Sequence, residues 1–196
     1  LVLATQNPKK LKEMNEILSH LGVEVVSEAE LGVRIEVEET GETFTDNARL
    51  KATAVMQATG LPAVADDSGL CVDALNGGPG VYSARFGGEG LDDKGRYTLL
   101  LEMLRGQTDR AAHFHTSIVC AFPNGDELVC EGECPGTIAF APMGEGGFGY
   151  DPVFFVPELR KTFGQLTAEE KASVSHRGKA LRAFAAALDD YLKGNE

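Results

Sequence analysis

The sequence predicts an α/β fold: a mixed central sheet with flanking helices, in two lobes with a cleft between them. Three observations predict it. A strand, loop and helix open the chain, a strictly alternating strand at 111–122 is turned back at Pro123-Asn124-Gly125-Asp126, and an amphipathic helix closes the chain. With 196 residues, 43% of them hydrophobic, the chain has the size of one domain covering 1–196.

Residues 1–4 read as a short buried strand. Asn7 then caps a helix that has Pro8 at its first position, and Leu11, Met14, Ile17, Leu18 and Leu21 form one apolar stripe ending at Gly22. Residues 23–26 and 34–37 have strand character, and Thr43 caps a second helix with Ala48, Ala52, Val55 and Met56 on its core face. Residues 61–65 form another apolar run. Asp66-Asp67-Ser68-Gly69 is expected to break it, leaving the carboxylates at a strand's C-terminal end.

Asn76-Gly77-Gly78-Pro79-Gly80 is a loop, 92–104 a helix, and 111–122 a strand with Ala112, Phe114, Ile118, Cys120 and Phe122 on one face. The turn at 123–126 leads into a strand at 127–131. Residues 144–149 are a second glycine-rich loop. Thr167 and Glu170 form a capping box, and Ser175 caps a last helix that runs through Leu181, Phe184, Ala187, Leu188 and Tyr191.

Thirty acidic against 18 basic residues give a formal charge of −12. Such a field repels nucleic acid and anionic lipid, so neither is an expected partner. No run reads as a signal peptide or a membrane span. A small phosphate-bearing ligand remains compatible, because a divalent metal cancels part of its charge and Lys9, Lys10 and Lys12 act together within a Debye length of about 8–10 Å. Cys71, Cys120, Cys130 and Cys134 lack CxxC spacing, which suits reduced thiols in a cytoplasmic protein.

Thr5, Asn7, Lys9 and Lys10 stand where a strand enters a helix, a place that favours phosphate; an ordinary capped helix looks the same. Asp66 and Asp67 offer hard oxygen ligands for a phosphate-chelated magnesium ion, or a simple turn. Glu36, Glu38, Glu39 and Glu42 crowd one loop, as a metal-binding edge or a solvated one. In Gly144-Glu145-Gly146-Gly147-Phe148-Gly149-Tyr150-Asp151-Pro152 an aromatic ring lies between glycines, which suits stacking on a planar ligand and equally a tight turn. Ser175-His176-Arg177 places donors at a helix start. His113 and His115 point one way on a strand, and with no third ligand at a metal-like spacing they receive no role.

The order of these motifs closely resembles the inosine triphosphatase-like pyrophosphatases of nonstandard purine nucleoside triphosphates. The resemblance covers almost the whole chain. It rests on Leu3-Ala4-Thr5-Gln6-Asn7 with Lys10, Glu38-Glu39-Thr40-Gly41, Thr43-Phe44, Ala65-Asp66-Asp67-Ser68-Gly69-Leu70, Pro79-Gly80-Val81-Tyr82-Ser83-Ala84-Arg85, Gly146-Gly147-Phe148-Gly149-Tyr150-Asp151-Pro152, Glu170-Lys171 and Ser175-His176-Arg177. Gln6 departs from the glycine usual there in the bacterial form of the family.

The resemblance implies a homodimer, a magnesium requirement and hydrolysis of ITP, dITP and XTP to the monophosphate and pyrophosphate. It further implies that Thr5, Gln6, Asn7, Pro8, Lys9 and Lys10 hold the triphosphate, that Glu38 and Asp67 bind Mg2+, and that Asp67 accepts the proton. Ser68 would touch substrate, while Phe148, Gly149, Tyr150, Asp151, Lys171, His176 and Arg177 hold the base and the rest of the nucleotide. An arginine only donates, so Arg177 suits a 6-oxo purine and conflicts with the amino group of adenine. The alternatives are a related pyrophosphatase for modified pyrimidine or other nucleotides, a phosphomonoesterase, and a nucleotide sensor without turnover.

Overall fold

The computed structural model describes residues 1–194. Its elements run β1 (Val2–Leu3), α1 (Pro8–Leu18), β2 (Val26–Ser27), α2 (Phe44–Thr59), β3 (Ala63–Val72), α3 (Asp93–Met103), β4 (Ala111–Ala121), β5 (Glu127–Ile138), β6 (Phe154–Val156), β7 (Lys161–Thr162), α4 (Ala168–Val174) and α5 (His176–Gly194). The expected mixed sheet is present. It has seven strands in the order β2-β1-β3-β4-β5-β6-β7, with β1 parallel to both β2 and β3 and with β6 antiparallel to β5 and β7.

The local signals acted where expected. Asn7 Oδ1 accepts from Lys9 N at 3.0 Å with Pro8 opening α1, and Gly22 ends the following 3-10 turn in the left-handed region. Thr43 and Asp46 form a full capping box on α2, as do Thr167 and Glu170 on α4. Ser175 Oγ accepts from Gly178 N at 3.0 Å, capping α5.

Four expectations are corrected. Residues 34–37 form no strand, and the strand expected at 23–26 is the two-residue β2, displaced toward Ser27. β5 extends to Ile138, well past 131. The short β6 and β7 were not foreseen, being too brief to show periodicity. Most consequentially, Asp66-Asp67-Ser68-Gly69 does not break the strand: β3 runs straight through to Val72, so both carboxylates lie mid-strand. Turn propensity loses there because Lys10 and the Asn47 amide, supplied by the helices, satisfy the two carboxylates in place while Lys51 donates to the Asp66 carbonyl.

The chain groups into two compact units, each discontinuous in sequence: Leu1–Asp67, Thr116–Gly132 and Lys179–Glu196 in one, Ser68–His115 and Glu133–Gly178 in the other. In the first, Val64 packs with Leu3 and with Met14 and Leu18 of α1 and Leu181, Phe184 and Leu188 of α5, whereas Ala65 packs with Ala48 and Ala52 of α2. Alternation along β3 therefore sends neighbouring residues to different helices. In the second unit Leu70, Val72, Phe114, Phe154 and Phe163 share one core, with Phe114 and Phe163 each edge-on to Phe154 at 4.6 and 4.9 Å. Each of these buried side chains contributes about 1.5–3 kcal/mol by leaving water. Among the described residues no helix is long and apolar enough to cross a membrane, and the four cysteines are free thiols.

Candidate active site

In the first unit, the turn from β1 into α1 opens on a cavity of about 610 Å³ lined by Thr5, Gln6, Asn7, Pro8, Glu28 and Arg34, among others. Asn7 N donates to Thr5 Oγ1 at 3.2 Å, which tightens the turn and leaves the positive end of the α1 dipole facing this space. Lys9 is exposed. Lys10 is committed instead to Asp66, with Nζ 2.8 Å from Oδ2 of a carboxylate whose side chain is only 4% exposed. Two lining residues were missed by sequence reasoning. Glu28 is buried and its carboxyl is raised above the usual range by desolvation, against the opposing charge of Arg34, whose Nη2 donates to Gln6 Oε1 at 3.4 Å. The signal for Arg34 was obscured by its reading as part of a strand.

The pleat of β3 separates the two adjacent aspartates. Asp66 follows Val64 toward α1 and finds Lys10; Asp67 follows Ala65 toward α2 and finds Asn47 and Lys51. Asn47 Nδ2 donates to Asp67 Oδ2 at 3.2 Å, and its own Oδ1 accepts from Gly41 N at 2.8 Å. A buried amide thus ties the acidic loop to the catalytic candidate. Gly41 is required at that contact, because a Cβ would stand 2.6 Å from Asn47 Oδ1.

Lys51 Nζ lies 2.7 Å from Glu39 Oε1 and 3.8 Å from Asp67 Oδ1, and donates to the Asp66 carbonyl at 2.8 Å. The carboxylate that shares a cation with Asp67 is therefore Glu39, while Glu38 is exposed on the same loop. Burial pushes the Asp67 carboxyl up to about 6; Lys51 and the Asn47 hydrogen bond pull it down, and Glu39 and Asp66 add to the rise. A carboxylate in that range is a competent proton acceptor near neutral pH.

In the second unit, residues 146–151 form a preformed loop. Asp151 is buried, accepts from Phe148 N at 3.0 Å and from Lys171 Nζ at 2.5 Å, and has its carboxyl raised because burial outweighs Lys171. The same Lys171 Nζ stands 4.6 Å from the centre of the Phe148 ring, which is 74% exposed. This leaves a flat aromatic surface braced from one side by a cation. Gly149 N donates to Asp93 Oδ2 at 2.8 Å. Tyr150 is buried, donating from its hydroxyl to the Ser83 carbonyl at 2.6 Å, so its place is structural support for the loop. His176 stacks on Phe114 with centroids 4.7 Å apart, and Arg177 follows it, half-buried, in the first turn of α5. Ser68 is exposed on β3.

Gly147 has φ +74°, and a Cβ there would overlap Asp151 Oδ2. We expect Gly147→Ala to lower stability by about 1–3 kcal/mol through left-handed strain and displacement of a buried, ion-paired carboxylate. A urea midpoint equal to the parent protein's would show that the loop yields without cost.

The Ham1 family model matches residues 1–187. The chain belongs to the Ham1 family. A dITP/XTP pyrophosphatase of Exiguobacterium sp. is 50% identical over 194 residues, covering 99% of both chains, and one of Desulforamulus reducens is 54% identical over 184 residues, covering 93% of this chain and 92% of that one. Among solved structures, the Ham1 protein of Staphylococcus aureus superposes with a TM-score of 0.92 at 42% identity, covering 100% of this chain and 98% of that one. A HAM1 protein from Coxiella burnetii gives 0.93 at 44% identity, covering 96% and 98%. This Ham1 chain thus carries the resemblance read from its motifs across nearly its full length.

Proposed function

We propose that this Ham1 chain hydrolyses noncanonical purine nucleoside triphosphates, ITP, dITP and XTP, to the monophosphate and pyrophosphate, removing deaminated purines before they enter DNA or RNA. The observation that carries the reading is the setting of Asp67: a carboxylate oriented by a buried amide, raised to about 6 by burial, beside a second carboxylate and a shared lysine. The dITP/XTP pyrophosphatases that it resembles along 92% or more of their length supply the substrate class.

Magnesium is part of the proposal. Asp67 and Glu39 already gather hard carboxylate oxygens around the ammonium of Lys51, and an all-oxygen donor set is what Mg2+ takes. Asp67, with Glu38 and Glu39 on the acidic loop, would hold the ion; it supplies charge neutralisation for the triphosphate. Residues 5–9 bind the phosphates at the α1 N-terminus, and Lys10, anchored on Asp66, adds its positive charge to that end of the helix. Asp67 orients a water and takes its proton as the oxygen adds to the α-phosphorus, and pyrophosphate leaves. Asn47 keeps the Asp67 carboxylate in one orientation, and Phe148, Asp151, Lys171, His176 and Arg177 hold the base and the rest of the nucleotide.

A nucleotide panel assayed for pyrophosphate with and without Mg2+ tests the reading. Orthophosphate as product, or no turnover of ITP, dITP and XTP, would replace it. Glu39→Gln is expected to raise the Mg2+ concentration needed for half-maximal rate more than Glu38→Gln does, because Glu39 is the one coupled to Asp67 through Lys51. The opposite ranking would return the metal to Glu38. A homodimer and a cytoplasmic setting belong to the same proposal; the exposed Tyr82 and the four free thiols agree with them, and sedimentation checks the first.

A further inference from the structure

β4 and β5 carry a side-chain cluster that the proposed hydrolysis does not use. His113 and His115, two apart on β4, lie on one face, and Glu133 of β5 stands opposite them. His115 Nδ1 is 2.8 Å from Glu133 Oε1, His113 Nε2 is 3.9 Å from the same oxygen, and the three ligand atoms lie within 4.8 Å of one another. The other face of these strands is taken up by the aromatic core through Ala112, Phe114 and Cys134. The cluster's own face is open, with side-chain exposures of 34% for His113, 16% for His115 and 57% for Glu133.

We propose that His113, His115 and Glu133 bind a divalent transition-metal ion of the zinc class, at a site separate from the magnesium-directed carboxylates. The geometry fits. An ion about 2.0–2.2 Å from each ligand in tetrahedral coordination separates the ligand atoms by about 3.4 Å. The observed 2.8 and 3.9 Å from Glu133 Oε1 to the two imidazole nitrogens bracket that value, and all three ligand atoms lie within 4.8 Å of one another, so side-chain rotations bring them into place. On binding, the metal takes the place of the hydrogen bond between His115 and Glu133.

The donor chemistry selects the ion. Two imidazole nitrogens with one carboxylate suit Zn2+, Co2+ or Ni2+, and are poor partners for Mg2+, which prefers oxygen alone. Three protein ligands leave a fourth position for water or an incoming donor. Cys71 belongs to the face opposite Leu70 and Val72, and its thiol is raised to about 11 by burial together with the negative charges of Glu133 and Asp73. A soft sulfur thus lies within the field of the same carboxylate.

The test is titration of the full-length protein with Co2+ in excess Mg2+, followed by visible ligand-field absorption, then displacement by Zn2+. One Co2+ per chain with a tetrahedral spectrum is expected. His113→Ala and Glu133→Gln should each weaken it roughly 100-fold, at least the loss caused by removing an outer-shell partner. Glu133 is exposed and His113 partly so, circular dichroism verifies folding, and Mg2+-dependent pyrophosphate release should stay at the parent level. Cobalt binding that is absent, that vanishes in excess Mg2+, or that both variants leave unchanged would overturn the site.

Discussion

Asp67→Asn is expected to remove turnover while making the protein more stable. The amide keeps the shape and the Asn47 and Lys51 neighbours but cannot accept the water's proton, and general-base catalysis of this kind contributes about 10²–10⁴-fold. The stability gain follows from the raised carboxyl. The folded state holds a proton on Asp67 up to about pH 6, against 3.8 for the ordinary group, so between those values folded protein binds more protons than unfolded and stability falls as pH rises. Above that window the charged form costs up to about 3 kcal/mol, a limit set by two pH units. In metal-free buffer the variant should therefore resist urea better than the parent at pH 8 and equally at pH 4. Retained pyrophosphate release would remove Asp67 from the chemistry, and equal urea midpoints at both pH values would remove the burial penalty.

Arg177→Ala should cost most of the activity on ITP and XTP and much less of any residual activity on ATP. A hydrogen bond to a charged group is worth about 1.5–3 kcal/mol, or roughly 10- to 150-fold in kcat/KM when made in the transition state. Arg177 is half-buried in the first turn of α5, which Ser175 caps, with its guanidinium Nη2 buried and a His176 ring stacked on Phe114 preceding it. Adenine offers an amino group where the 6-oxo purines offer an acceptor, so its hydrolysis loses nothing when the donor goes. Equal losses on ITP and ATP would make Arg177 a phosphate or scaffold residue.

Helix boundaries were legible because capping is local chemistry: Asn7-Pro8, Thr43 with Asp46, Thr167 with Glu170 and Ser175 act within three residues of themselves. The turn after β4 was legible for the same reason, Gly125 supplying φ +93°. The course of β3 was not. Asp66 to Gly69 have the composition of a turn, and what keeps them extended is satisfaction by Lys10, Asn47 and Lys51, up to 56 positions away. Asn47 and Glu39 as neighbours of Asp67, and Glu133 as the partner of His115, depend equally on tertiary placement. Composition marks the acidic loop that carries Glu39, but neither which of its carboxylates reaches Asp67 nor Asn47 and Glu133. The order of motifs carried what no single motif did, since each phosphate, metal or aromatic signal also fitted an ordinary cap, turn or core residue.

The core that joins Leu3, Met14 and Leu18 to Leu181, Phe184 and Leu188 has a consequence for biosynthesis. The strand and helix that frame the phosphate turn leave the ribosome well before the α5 side chains they pack against. Until α5 is free of the exit tunnel the nascent chain therefore exposes the part of that apolar face which α5 covers, and α1 lacks that share of its tertiary support. A stop codon before Lys179 would thus disable the chain at its opposite end.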